Sequence, residues 1–250
     1  MRIIAPKKIK IRFYLSFALI FIFSGLAVLS RISSVNKAIN VSADNERYKT
    51  IIIDAGHGAP DGGTSADDGT LEKDLNLQIA HKLNDILQSM GYDTVMTRTD
   101  NNAIYDDSAN TIRQKKISDT RNRLEIMNNT DNAIFVSIHQ NHYSDPKYSG
   151  TQIFYSKNNQ HSKELAESIR FPIISHLQTN NTREIKKSGS EIYLLYNAQI
   201  PAVMVECGFL SNSAETQKLK DNNYQQNMAF FIALGIVDFI TETEDIQNGT

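Results

Sequence analysis

The side chains best suited to chemistry in this sequence are His57, His139 and Glu206. Each stands just past a short apolar run: Ile51-Ile52-Ile53 leads through Asp54, Ala55 and Gly56 to His57, residues 133–138 lead to His139, and residues 202–205 lead to Glu206. Glu72, in Thr70-Leu71-Glu72-Lys73-Asp74, opens a helical pattern. Two imidazoles and one carboxylate are a donor set for a catalytic zinc site, in which three protein ligands leave a fourth position for water. The remaining carboxylate suits proton transfer to a departing amine. Amide hydrolysis by a metal-dependent hydrolase needs these parts. The residues alone leave open which glutamate would bind metal.

Residues so far apart in sequence meet only on a suitable scaffold. A buried parallel strand reads as a continuous apolar run, and the carboxyl ends of parallel strands share the sheet edge where open α/β folds keep their ligands. Glu72 reaches that edge by starting the helix after the first strand, where an acid suits the helix macrodipole. Residues 71–90 place Leu75, Ile79, Leu83, Ile86, Leu87 and Met90 at helical spacing before Gly91 stops the pattern. Residues 92–96 read as a strand, 99–115 as an Asp- and Asn-rich surface loop, and a helix carrying Ile117, Leu124, Ile126 and Met127 ends at Asn128-Asn129. A strand over 150–155, a helix over 162–177, a short strand over 191–195 and a helix over 228–240 complete the reading. This rhythm predicts an α/β fold with a mostly parallel sheet and helices on its faces.

At 250 residues, 40% hydrophobic and 22% charged, the chain can bury one substantial core, so one domain of about 200 residues is expected. A net charge of -2 argues against nucleic acid as a partner. The single cysteine, Cys207, excludes an internal disulfide and a Cys-based zinc knuckle. Residues 2–12 are basic and 13–29 are apolar apart from Ser16, Ser24 and Gly25. Residues 1–30 therefore read as a signal peptide or an anchor in the cytoplasmic membrane, with the rest exported to its outer face or secreted into the wall. Residues 31–48 read as a linker, 49–241 as the catalytic domain and 242–250 as a flexible tail.

Four blocks then carry a resemblance: Asp54-Ala55-Gly56-His57-Gly58, Glu72-Lys73-Asp74-Leu75-Asn76-Leu77, Ser137-Ile138-His139-Gln140-Asn141, and Val205-Glu206-Cys207-Gly208-Phe209-Leu210-Ser211-Asn212. Together they resemble the zinc-dependent N-acetylmuramoyl-L-alanine amidases, over roughly residues 51–240. The resemblance implies that His57, Glu72 and His139 bind Zn2+ and that Glu206 is the catalytic acid/base. It also implies a twisted six-stranded sheet and hydrolysis of peptidoglycan between the lactyl group of N-acetylmuramic acid and L-alanine. Thr97-Arg98, and Arg123 with Asn128, match as well. Pro60-Asp61-Gly62-Gly63, Ile192-Tyr193-Leu194-Leu195 and residues 201–206 look most like the germination-specific, spore-cortex branch, whose members act before muramic lactam forms. On this reading the glycines around His57 leave room for a glycan-peptide substrate. Ala55, Thr120, Gln140 and His142 depart from common family residues. A non-catalytic peptidoglycan-binding module and another envelope zinc peptidase are the competing classes, and a partner protein that orders loop 99–115 is compatible with its composition.

Other candidates read more simply as structure. His81, His161 and His176 lie in helical patterns, and His142 sits on a loop. Cys207 should pack as a small hydrophobe facing away from Glu206, because strand side chains alternate. Asp54 either orients a ligand histidine or caps the turn. The Gly-rich stretch 56–63 lacks the Gly-Lys-Ser/Thr ending of a phosphate-binding loop.

Overall fold

The computed structural model describes Tyr48 and residues 50–248, with side chains to Thr243. The expected signal or anchor and the linker, apart from Tyr48, lie outside the described residues, among which no helix is long and apolar enough to cross a membrane. Strands β1 (Thr50–Ala55), β2 (Asp93–Met96), β3 (Ala133–Asn141), β4 (Gln152–Tyr155), β5 (Lys186–Lys187) and β6 (Ala202–Phe209) form one sheet. Their order is β2-β1-β3-β6-β4-β5. The first four in that order run parallel, β4 is antiparallel to β6, and β5 is parallel to β4.

The two-residue alternation of strands splits the core in two. Ile51 and Ile53, Ile134, Val136 and Ile138, and Val203, Val205 and Cys207 share one cluster with Leu75, Ile79 and Leu83 of α1 (Glu72–Ser89). Leu165 and Ile169 of α3 (His161–Pro172), and Met228, Ile232, Ile236 and Phe239 of α6 (Asn222–Asn248), complete it. The opposite series, Ile52, Phe135, Ala202 and Met204, packs in a smaller cluster with Met127 of α2 (Ile112–Asn128), Leu194 and Leu195 of α4 (Tyr193–Asn197) and Ala198, with Leu124 and Ile126 at its margin. Continued along the strands, that second series brings Asp54, Ser137, His139 and Glu206 to the thinly covered face. Cys207 falls on the other face, as alternation requires.

Several elements differ from the sequence reading, each for a local reason. Residues 193–197 form the one-turn helix α4 instead of a strand: Leu194 and Leu195 are buried while Tyr193 and Tyr196 are exposed, and Lys186–Lys187 takes the sheet edge. The helix expected over 162–177 keeps α-geometry to Pro172 and continues as a π-turn over Ile173–Leu177, because proline within a helix removes a backbone donor. Helix α5 (Ser213–Lys220) was not expected, although Asn212 accepts from the Glu215 amide as an N-cap. Helix α6 begins at Asn222 and extends to Asn248, through most of the stretch read as a loose tail. Helix α2 starts at Ile112, earlier than its apolar spacing suggests, because Thr111 and Gln114 form a reciprocal capping box.

Candidate metal centre

The chain leaves β1 through Gly56 and His57, and His57 has a φ of 62°, a left-handed conformation that non-glycine residues seldom adopt. Two buried arginines hold this bend. Arg98 donates from Nε to the Ala55 carbonyl at 2.8 Å and from Nη2 to the Gly56 carbonyl at 3.0 Å. Arg123 donates from Nη1 to the Ala55 carbonyl at 2.8 Å and from Nη2 to the His57 carbonyl at 2.6 Å. Three successive carbonyls are thus gripped by guanidinium groups. Asp54 fixes Arg123 at 2.5 Å and also accepts from Thr97 at 2.7 Å and Ser137 at 2.5 Å. Burial works to raise the Asp54 carboxyl, but Arg123 and these hydroxyls outweigh it and hold it below the ordinary range. Asp54 therefore neither touches a ligand histidine nor caps the turn.

Asp61 is the residue that holds His57, a role the sequence did not reveal. Its Oδ2 lies 3.0 Å from His57 Nδ1, which leaves Nε2 facing Glu72 Oε1 at 3.3 Å. The same Glu72 oxygen lies 2.8 Å from His139 Nδ1, and the two imidazole centroids are 5.0 Å apart at 73°. Burial acts against the charged form of His57, yet the bonds to Asp61 and Glu72 outweigh it and push the imidazole up to about 9. Burial likewise works to raise Glu72, but the imidazoles hold its carboxyl well below the usual range. The Glu72 Oε2 accepts from the Thr64 amide at 2.8 Å and Oε1 from the Gln140 amide at 3.2 Å. Behind it, Asn76 donates to the Gly56 carbonyl at 3.1 Å and accepts from Gln140 Nε2 at 3.2 Å.

His57, Glu72 and His139 thereby offer three donor atoms within 4.8 Å of one another. Bonds of 2.0–2.1 Å at tetrahedral angles place donors about 3.4 Å apart, close to the 3.3 Å between His57 Nε2 and Glu72 Oε1. The donor set fits a divalent metal. Glu206 pairs in register with His139 across β3 and β6, and its buried Oε2 has no hydrogen-bond partner. Burial pushes its carboxyl up to about 7, although His139 pulls the other way.

The glycines serve the ligands themselves. A Cβ at Gly56 would lie 2.2 Å from His139 Nε2, and one at Gly63 would lie 2.5 Å from Glu72 Oε2 and 2.8 Å from His57 Cδ2. Room for side chains, and not for substrate, is what they supply. Beside the cluster a groove of about 310 Å³ is bordered by His57, Asp61, Lys116, His139 and Tyr193. His142 is exposed, His81 bonds the Thr99 carbonyl, and His176 stacks on Phe231, so none joins the cluster. Burial pushes the Cys207 thiol far up, which suits packing and not nucleophilic attack.

The family model described as N-acetylmuramoyl-L-alanine amidase matches residues 51–238. The chain belongs to that amidase family. It is 34% identical over 197 residues to the germination-specific N-acetylmuramoyl-L-alanine amidase of Bacillus subtilis, covering 79% of this chain and 82% of the relative. The CwlD amidase of Clostridioides difficile, solved in complex with the GerS lipoprotein, superposes with a TM-score of 0.75 at 42% identity, covering 78% of this chain and 99% of that one. The amidase AmiC2 of Nostoc punctiforme gives a TM-score of 0.66 at 28% identity, over 78% and 98% of the two chains. The amidase fold thus spans the described sheet and its helices.

Proposed function

We propose that this protein is a zinc-dependent amidase that hydrolyses the bond between the lactyl group of N-acetylmuramic acid and L-alanine in exported peptidoglycan, in spore-cortex maturation. The observation that carries the reading is the cluster of His57, Glu72 and His139 with the unpartnered Glu206 carboxyl on the adjoining strand. Likeness to a germination-specific relative supports the cortex assignment.

His57, Glu72 and His139 would hold the metal, which supplies Lewis-acid activation of water and of the scissile carbonyl. Asp61 fixes the tautomer of His57 through Nδ1. The Thr64 and Gln140 amides orient the Glu72 carboxylate. Glu206, with a carboxyl near 7, accepts a proton from the attacking water and returns it to the departing L-alanine nitrogen at neutral pH. The groove beside His57 and Tyr193 receives the substrate.

Mass spectrometry of muropeptides after incubation with the zinc-loaded protein tests this. Release of intact stem peptide is expected, whereas a shortened peptide or unchanged muropeptides would point to the competing classes. Glu206→Gln should retain stoichiometric zinc and lose turnover by at least about a hundredfold.

A partner protein belongs to the same proposal, since the Clostridioides difficile relative is seen with a lipoprotein. Ordering of loop 99–111 is a poor rationale for it, because the loop is already tied down. The Ile104 amide donates to Asp119 and the Asp106 amide to Ser118, both on α2.

A further inference from the structure

A cavity of about 510 Å³ opens between the β3–β4 connection, the segment after the π-turn, and α5, and none of the proposed catalytic or metal-binding residues lines it. Its volume lies in the range of small-ligand sites. Its wall is rigidly built. Gln178 accepts from the Thr151 amide at 2.7 Å and donates to the Tyr224 hydroxyl at 2.8 Å. Asn181 donates to the Thr151 carbonyl at 2.9 Å. The one buried acid, Glu215, directs Oε2 at the Gly150 and Phe209 amides, at 2.8 and 3.1 Å.

Arg183 lines this cavity with no counter-ion among the described residues. Its guanidinium lies 4.7 Å from the Phe209 ring centroid and 5.5 Å from that of Tyr148, and its Nε donates to the Ser149 carbonyl at 2.9 Å. No residue among those described bonds its two terminal nitrogens. A guanidinium stacked on rings and anchored through Nε presents those nitrogens as a fixed planar fork, which matches the two oxygens of a carboxylate. Lys218, which forms no ion pair among the described residues, adds positive charge to the rim, whereas Lys147 is paired with Asp145 at 2.6 Å.

We infer that this cavity binds a carboxylate of an acidic peptide, with Arg183 as its bidentate anchor. Resting on the amidase reading, the source is the stem peptide, which carries free carboxylates. Gly150 and Thr151 immediately precede Gln152, the residue paired with Glu206. Those two residues lead into β4 and span at most about 7 Å, and an extended peptide of four or five residues reaches about 13–18 Å. A stem peptide attached near Glu206 is long enough to bring a carboxylate to Arg183.

The test is calorimetric titration of the full chain with the dipeptide L-alanyl-γ-D-glutamate, its uncharged diamide and inorganic phosphate, together with the 15Nε signal of Arg183. The dipeptide should bind and shift that signal, the diamide should not bind, and Arg183→Ala should weaken binding at least tenfold. Arg183→Lys, which keeps the charge and much of the volume, should weaken it by a smaller factor. Equal binding of the diamide, full affinity in Arg183→Ala, or an Arg183 signal unmoved by dipeptide would overturn the inference. So would phosphate competing at equal affinity, which would make this a general anion site. If Arg183→Ala fails to fold, the wild-type signal and the lysine variant still decide. Dipeptide binding at Arg183 without peptidoglycan cleavage would sink the amidase reading alone; cleavage with KM unchanged in Arg183→Lys and no dipeptide binding would sink this inference alone.

Discussion

Glu206 keeps its proton to higher pH than a solvated glutamate because burial disfavours its charged form, and no described residue hydrogen-bonds its buried Oε2. With the carboxyl moved from 4.5 to about 7, the folded, metal-free protein binds more protons than the unfolded chain between those values. Stability contributed by Glu206 therefore falls as pH rises through that window. Asp54 has the opposite sign: its carboxyl is held below the ordinary 3.8, so its contribution is present at neutral pH and lost on acidification. Urea unfolding of metal-free wild type and Glu206→Gln should show the variant gaining about 2 kcal/mol relative to wild type between pH 5 and pH 7.5, allowing for partial exposure. A difference that stays constant would mean that Glu206 is ionised throughout. Asp61 gives a second residue-scale expectation. Asp61→Asn removes the charge behind His57 Nδ1 and should weaken zinc binding about 10–100-fold in a competition titration; near neutral pH it should also lower the stability of the apo-protein, because protonated His57 loses a partner that raises its pKa. The types and strand-end positions of His57, His139 and Glu206 were legible in the sequence; Asp61 was not, because its role depends on a loop closing back over four residues.

At the scale of elements, the β1–α1 connection is under close steric control. Gly63 has a φ of 69°, and any side chain there would meet Glu72 and His57. Gly63→Ala should cost about 1–3 kcal/mol in thermal or urea unfolding and abolish stoichiometric metal uptake. The arginine clamp matters more for the fold: Arg123→Ala leaves Asp54 buried without its counter-ion and should cost about 3–5 kcal/mol, seen as a large drop in the urea midpoint. The long, apolar elements were readable because burial imposes clear periods on α1, β1, β3 and β6. The short ones were not. Tyr193–Asn197 contains residues that suit either a strand or a helix, and only the occupied sheet edge decides. Helix α5 has few apolar positions, and its signal lay in Asn212 and Glu215 at capping distance. The first turns of α6 are polar, which hid its true start.

At the scale of the whole molecule, the two ends of the described domain close on each other. Tyr48 is only 6% exposed and stacks on Phe239 of α6, with ring centroids 5.5 Å apart. A chain cut immediately after Tyr48 should lose about 2 kcal/mol and several degrees of melting temperature, with zinc affinity unchanged; one cut before Tyr48 should keep the full-domain value. The reversed direction of β4 has a consequence of another kind. A parallel strand leaves its neighbour at the carboxyl edge and must cross the sheet to return, whereas β4 starts at the edge where β3 ends. Residues 142–151 thus begin and finish beside the same rim, with no crossover helix between them. Its first part, residues 142–147, can change in length and composition without disturbing the contacts of residues 149–151 with Arg183, Glu215 and Gln178, so this connection is where the fold can acquire a new preference in cell-wall chemistry while the His57, Glu72 and His139 cluster stays fixed.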